Sequence, residues 1–168
     1  GHDVVSCVLL YRAAPADART EAPADAWQRV PMSALGNDRW QGSFEAHAIG
    51  CCLYTVEAWV DHLQTWRLDL QKKHAAGQAV EVELRRGALL VQAVAQRAAS
   101  ADAPRLLQWA HDLTDTGIEL EQRVALAQSP ALHGLAQAYP DPAEVRRHEP
   151  PLALQSQRCP SRSPPPTA

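Results

Sequence analysis

The first 60 positions contain several short apolar or alternating apolar–polar segments, a pattern typical of β-strands. The segment from Val4 to Tyr11 is apolar on both alternating faces, which predicts a strand that is covered on both sides. Trp27–Met32 predicts a short strand, and Pro31 favours an edge position because proline cannot donate a hydrogen bond to a neighbouring strand. The turn sequence at 36–38 then precedes a further strand.

The predicted strand after this turn places Trp40 and Phe44 on one face. Ile49–Gly50 turns the chain back, and an apolar face follows, opposite Thr55 and Glu57. The members of that apolar face are Cys52, Tyr54, Val56, Ala58 and Val60. The two segments predict an antiparallel hairpin. Several short strands separated by turns favour an immunoglobulin-like antiparallel β-sandwich over residues 1–60.

The apolar period changes from 2 to 3.6 at Asp61, which predicts a helix directly after the last strand. Asp61 and Gln64 have the spacing of a capping box, so Asp61 can accept hydrogen bonds from the first helical turn. Short amphipathic helices follow up to residue 139, although Gly87 weakens the second one. Residues 61–139 are therefore predicted to form a small helical bundle.

Both ends of the chain depart from this pattern. Strand character begins at Val4 without an initiator methionine, so we expect a truncation at Gly1. Most of the 13 prolines lie in residues 140–168, a Pro-rich tail that is predicted to be disordered. A shift of the reading frame near Pro142 is our hypothesis for this tail. The predicted fold is α+β in two parts, a β-sandwich followed by a helical bundle.

The net charge, the hydropathy and the spacing of the cysteines argue against several kinds of binding partner. A net charge of −3 argues against a nucleic-acid interface, which needs a clustered basic face. The sequence contains no run of roughly 18 apolar residues and no signal peptide, so we expect no membrane partner and a cytoplasmic location. Cys51 and Cys52 are adjacent, while Cys7 and Cys159 stand alone. Without a CxxC pair, we expect neither a metal site nor a cofactor.

Six segments of the chain resemble a known enzyme family. They are GHDVV (1–5), LLYR (9–12), WQRVPM (27–32), GNDRWQGSF (36–44), YTVEAWVDHLQTWRLDLQKK (54–73) and LAQAYPD (135–141). The stretch at 54–73 is the most specific of them. Together they resemble the N-terminal region of bacterial maltosyltransferases that extend α-1,4-glucans with maltose 1-phosphate.

The resemblance implies a β-sandwich domain with an inserted helical bundle, covalently linked to an α-amylase-like barrel in the full protein. In that family the barrel carries the catalytic residues and binds α-glucan and maltose 1-phosphate, so no catalytic residue is assigned to this chain. The expected role of the segment is non-catalytic support and participation in a homodimer interface. On its own, the segment is expected to be inactive.

Four residues are candidates for a functional surface. Trp27 and Trp59 are weak candidates for sugar stacking, which would make the chain a stand-alone carbohydrate-binding module. Trp59, Asp61 and His62 are the candidates for the interface. Asp61 and His62 also suggest an acid–base pair, but no nucleophile accompanies them, and a helix cap is the simpler interpretation.

Three basic residues near the end of the first helix, Arg67, Lys72 and Lys73, form a small cluster in the sequence. A cluster of this kind is able to meet a phosphate group. A solvated helix end is the interpretation that we favour, because cations are stabilised near the C-terminus of a helix.

Overall fold

The computed structural model describes residues 3–14, 27–45 and 50–156. Over these ranges the protein is a mixed α+β structure with antiparallel sheets. The chain divides into two compact units. The first comprises Gly1–Ser6 and Trp59–Arg146, and the second comprises Cys7–Ala58 and Arg147–Ala168. The first unit holds the helices, and most of the strand residues belong to the second.

The described strands form two sheets. In chain order they are β1 (Val5–Ala13), β2 (Gln28–Pro31), β3 (Ser33–Gly36), β4 (Arg39–Gln41), β5 (Gly50–Val60), β6 (Arg146–Arg147) and β7 (Leu152–Ser156). The larger sheet has the order β2-β1-β5-β6, and β7 also pairs with β5. Strand β2 lies at its edge, where Pro31 predicted it, and pairs with β1 through Pro31 and Val8.

The predicted hairpin between the strands at 39–46 and 50–60 is wrong. Strand β4 pairs instead with β3 in a separate two-stranded sheet. Asn37 and Asp38 connect these strands with positive φ angles of 52° and 57°. Two consecutive positive φ angles make a tight two-residue turn whose twist matches that of paired strands. This turn therefore pairs β4 with β3, the strand just before it, and not with β5. The sequence turn at 36–38 is confirmed, whereas Ile49 lies outside the described residues.

Strand β5 buries its polar face more deeply than its apolar one. Thr55 and Glu57 are buried, whereas the apolar residues on the alternate positions are half-buried. The Thr55 hydroxyl donates to the backbone oxygen of His148. Glu57 accepts from Arg29 at 2.8 Å and from Arg147 Nε at 2.9 Å. These partners satisfy the buried polar groups, which would otherwise be costly to remove from water.

The prediction of a disordered tail from residue 140 is wrong over residues 140–156. Strand β7 pairs antiparallel with the start of β5, in a register that sets Leu152 opposite Tyr54 and Leu154 opposite Cys52. Pairing with a strand a hundred positions earlier supplies the hydrogen bonds that a proline-rich segment does not make locally. The remainder of the predicted tail, residues 157–168, lies outside the described residues.

Five helices occur in the described ranges. They are α1 (His62–Ala75), α2 (Glu81–Arg97), α3 (Ala103–Thr114), α4 (Leu120–Ala127) and α5 (Pro130–Gln137). Their apolar faces meet in one core, which includes Trp66, Leu84, Val91 and Leu113. The apolar residues that recur at helical spacing from the start of α2 are all buried, namely Val80, Leu84, Ala88, Val91 and Ala95. No helix within the described residues is long and apolar enough to cross a bilayer.

Candidate functional site at the strand-to-helix junction

Asp61 is the single residue between β5 and α1, and its side chain caps the helix as the sequence predicts. Its Oδ1 accepts from the backbone N–H of Gln64 at 2.8 Å, and its Oδ2 accepts from the hydroxyl of Ser6 at 2.8 Å. Its own backbone N–H donates to the carbonyl oxygen of Val4 at 2.7 Å. Asp61 thus ties the start of β1 to the start of α1 within one unit.

Of the two polar residues that follow His62, Thr65 takes part in this junction with its side chain and Gln64 does not. The hydroxyl of Thr65 accepts from the N–H of Val4 and donates to the carbonyl oxygen of Asp61, both at 2.9 Å. The side chain of Gln64 does not complete the capping box, because its oxygen accepts from Arg67 at 2.8 Å. Of the two hydrogen bonds of a capping box, only the one from the Gln64 N–H to the Asp61 carboxylate is therefore present.

His62 is exposed at the first position of α1, while Asp61 is buried beneath it. Both Asp61 oxygens are occupied by bonds to neighbours other than His62. Within the described residues, no hydrogen bond joins the two side chains. This geometry is that of a structural cap, since a general base needs an accessible oxygen or nitrogen near the proton that it removes.

The two tryptophans proposed for sugar stacking have different surroundings. Trp59 belongs to the helical unit and is only 6% exposed. Trp27 belongs to the other unit and is half-buried, with the guanidinium carbon of Arg12 4.6 Å from its ring centroid. An arginine stacked at this distance covers one face of an indole. Neither ring is therefore open on both faces.

A cavity of about 150 Å³ opens beside Trp59 in the helical unit, and we refer to it as the junction cavity. Its apolar wall comes mainly from Trp59, Leu90, Ala93, Val94 and Ala136. Its polar lining comes from Asp61, His62, Arg97, His133, Gln137, Tyr139 and Asp141. The junction cavity thus brings Trp59, Asp61 and His62 together with residues of α2 and α5.

Arg97 is the only cation with a permanent charge in this lining, among the residues described. Its Nε and Nη2 both lie 3.4 Å from the carbonyl oxygen of Tyr139, and its Nη1 lies 3.8 Å from Asp141. These distances are long for hydrogen bonds of a guanidinium. Arg97 therefore keeps donor capacity for a further acceptor.

Tyr139 is held from its far end by Asp102, at the start of α3. The hydroxyl of Tyr139 donates to Asp102 Oδ2 at 2.6 Å, and this bond to a carboxylate raises the pKa of Tyr139. The side chain of Asp102 makes no capping hydrogen bond to the start of α3. Tyr139 lies in 135–141, one of the six segments that resemble the family. Nothing in the sequence, however, indicated a contact between Tyr139 and Asp102.

His133 lies on α5 and lines the junction cavity. Its Nδ1 is buried and has no hydrogen-bond partner in the described part of the chain. Burial lowers the pKa of His133, as does the positive charge of Arg67, while Asp61 acts in the opposite direction. The ring is therefore neutral near pH 7. No pattern in the sequence pointed to His133, since an isolated histidine in a helix has no distinctive neighbours.

The predicted solvated cluster of Arg67, Lys72 and Lys73 is wrong for Arg67. Its side chain is buried and donates to the carbonyl oxygens of Ala127 at 2.9 Å and Gln128 at 2.7 Å. The last carbonyls of a helix lack partners inside it, so Arg67 closes the end of α4. Burial lowers the pKa of this guanidinium. Lys73 pairs with Glu83, and no anion site is formed by the three residues.

The described residues contain no group of three or more His, Cys, Asp or Glu side chains with the arrangement of a metal site. Cys7, Cys51 and Cys52 are free thiols.

Comparison with known proteins assigns the family. The family described as alpha-1,4-glucan:maltose-1-phosphate maltosyltransferase, domain N/S, matches residues 1–158. The chain belongs to this family. The match extends well beyond Pro142, so the hypothesis of a frame shift at that point is wrong for the residues up to 158.

Three relatives are named alpha-1,4-glucan:maltose-1-phosphate maltosyltransferase. The protein from Chlorobaculum tepidum is 44% identical over 128 residues, covering 76% of this chain and 18% of the relative. The Myxococcus xanthus protein is 36% identical over 154 residues, which cover 89% of this chain and 22% of the relative. A Streptomyces coelicolor protein, whose name ends with the number 1, is 31% identical over 161 residues. These cover 95% of this chain and 23% of the relative. This chain of the domain N/S family thus spans about a fifth of the length of these relatives.

Proposed function

We propose that this chain serves as the non-catalytic N-terminal segment of a maltosyltransferase. The whole protein would transfer maltosyl units from maltose 1-phosphate to the non-reducing ends of α-1,4-glucans. The observation that carries the proposal is the family match over residues 1–158, together with relatives in which the matching region makes up only 18% and 22% of the length. The family resemblance assigns catalysis to an amylase-like barrel, so the segment itself should be inactive.

The proposed role of the segment is structural support. Asp61, Ser6 and Val4 tie the strand-to-helix junction within the helical unit, and the helices share one core. A domain built in this way is suited to holding a fixed surface against a neighbour. We also propose that the strands belong to an immunoglobulin-like β-sandwich and the helices to a bundle inserted into it, as the family resemblance implies.

The homodimer interface is a further part of the proposal. His62 is exposed above the buried Trp59 and Asp61, so these two would hold His62 in place while it makes the contact. Val82 and Leu89 are 73% and 66% exposed and lie seven residues apart, which puts them on one face of α2. Exposed apolar side chains on one face favour association with another protein surface. A cytoplasmic location is also proposed, in keeping with the free thiols.

A chimera tests the proposal directly. The matching region of the Chlorobaculum tepidum relative would be replaced by this chain, and phosphate release from maltose 1-phosphate with an α-glucan acceptor would be measured. We expect activity from the chimera, none from this chain alone and none from the relative without its N-terminal region. Phosphate release by this chain alone, or full activity of the relative without the region, would contradict the proposal.

A further inference from the structure

We propose that the junction cavity binds one glucosyl unit of an α-glucan. The inference rests on the proposed function for the identity of the sugar, but the cavity itself supplies the reasons for an uncharged ring. Size is the first reason. An apolar cavity of about 150 Å³ in another protein holds a single benzene ring, so the junction cavity, of similar volume, accommodates one pyranose ring and no more.

The apolar wall matches one face of a pyranose. Ala93, Val94 and Ala136 present short side chains, and Leu90 and Trp59 stand beside them. The axial C–H groups on one side of a glucose ring form an apolar face, and sites for such ligands combine an apolar wall with a few placed polar groups. The wall is rigid, because Val94 and Ala136 also belong to the helical core.

The polar lining supplies hydrogen bonds that the protein does not use fully. Arg97 makes only long contacts with Tyr139 and Asp141, and Asp141 is half exposed. A planar guanidinium donates and a carboxylate accepts, so the pair can bind two adjacent hydroxyl groups of a sugar.

The charges select an uncharged sugar over a sugar phosphate. Asp61 and Asp141 both line the junction cavity, and Arg97 is the opposing cation. The ring of His133 is neutral near pH 7, as derived above, and His62 is exposed at the rim. A phosphate group would therefore meet two carboxylates and a single guanidinium, an arrangement that disfavours a dianion. The expected ligand is thus a unit of the glucan and not maltose 1-phosphate.

The test is a titration of the chain with maltose, in which the ¹H–¹⁵N NMR signal of the Trp59 indole reports binding. Maltose should bind with a dissociation constant of the order of 1 mM, a normal affinity for a small neutral ligand. Ala93→Phe fills the junction cavity and should weaken binding about tenfold or more. Gln92→Phe is the matched control, because it places the same ring on the neighbouring, exposed position of α2 and should change binding less than twofold.

A second pair of variants covers the polar groups in case Ala93→Phe does not fold. Arg97→Met should weaken maltose binding several-fold. Arg105→Met, on α3 and outside the cavity lining, should leave the binding unchanged. The inference is overturned by an absence of binding at about 50 mM maltose, by equal binding in both members of either pair, or by tighter binding of maltose 1-phosphate than of maltose. An active chimera together with an absence of maltose binding would reject this inference alone.

Discussion

The indole of Trp66 occupies the space that a side chain at Gly87 would need. A Cβ built at Gly87 would lie 1.8 Å from Cζ2 and 2.3 Å from Cε2 of Trp66. One turn earlier in the same helix, the carbonyl oxygen of Glu83 accepts from Trp66 Nε1 at 2.7 Å. The glycine that weakens α2 by its helix propensity is therefore the residue that lets α1 pack against this helix.

This contact predicts the effect of Gly87→Ala. Alanine favours a helix over glycine by about 1 kcal/mol, but the new methyl group overlaps a fully buried ring. Overpacking of a tight core costs about 1–3 kcal/mol, and an approach of 1.8 Å puts this site at the upper end of that range. After the gain in helix propensity, the free energy of unfolding should fall by about 2 kcal/mol. Urea denaturation followed by circular dichroism at the helix band measures this change.

Gly134→Ala is the matched control for that substitution. Gly134 also lies inside a helix, α5, but a Cβ there meets no atom within 4 Å. The variant should gain up to about 1 kcal/mol from helix propensity. Similar effects of the two substitutions would show that the Trp66 contact does not govern the stability at Gly87.

The sequence identified the junction at Asp61 because local signals agree there. The apolar period changes at this residue, a capping side chain is present, and the helix that follows begins at His62 as predicted. By contrast, β7 was missed because its hydrogen bonds come from β5, far away in sequence, while its neighbours Pro150 and Pro151 suggest a loop. Local composition carries no record of such distant pairing.

The candidate site was predictable only in part, for the same reason. Trp59, Asp61 and His62 stand together in the sequence, and all three line the junction cavity. Arg97 and His133 come to the same cavity from two other helices. Their positions follow from the way in which the helices pack, and neither residue has a neighbour in sequence that indicates a site.

Asp61→Ala should destabilise the helical unit. The substitution removes the cap on Gln64, worth about 1–2 kcal/mol, and the acceptor of the buried Ser6 hydroxyl, worth about 1 kcal/mol. Thermal unfolding should show a loss of about 2–3 kcal/mol, and Asp61→Asn should lose less because Asn keeps the oxygen that caps the helix. His62→Ala, at an exposed position, should stay within about 0.5 kcal/mol. Equal losses at Asp61 and His62 would contradict the capping role.

Arg67→Met should destabilise the end of α4. The substitution leaves the carbonyl oxygens of Ala127 and Gln128 without their donor in a buried site, which costs about 2–4 kcal/mol. Hydrogen exchange should accelerate in α4 and the turn after it. Lys72→Met, at an exposed position of α1, is the control and should change stability by less than about 0.5 kcal/mol. Unchanged exchange in α4 would count against this role for Arg67.

Glu57→Gln should destabilise the sheet of the second unit. Glu57 is buried and accepts from both Arg29 and Arg147, so the variant leaves two guanidinium groups without a counter-charge. Because the arginine side chains are 41% and 40% exposed, water compensates in part, and we expect a loss of about 1–2 kcal/mol. Glu45→Gln, an exposed residue of the same unit, is the control. Equal melting temperatures for the two variants would contradict the expectation.

His133 should make the helical unit less stable in mild acid. Burial first, and then the charge of Arg67, lower the pKa of His133 from its usual 6.5, with Asp61 opposing them. The unfolded chain therefore binds more protons than the folded chain in the range below pH 6.5. The stability that His133 contributes is fully present above that pH and is lost as the pH falls toward the lowered pKa. His133→Gln removes this titration, so the difference in unfolding free energy between about pH 7.5 and about pH 5.5 should be smaller in the variant. An identical difference in both proteins would show that the His133 ring titrates freely in the folded state.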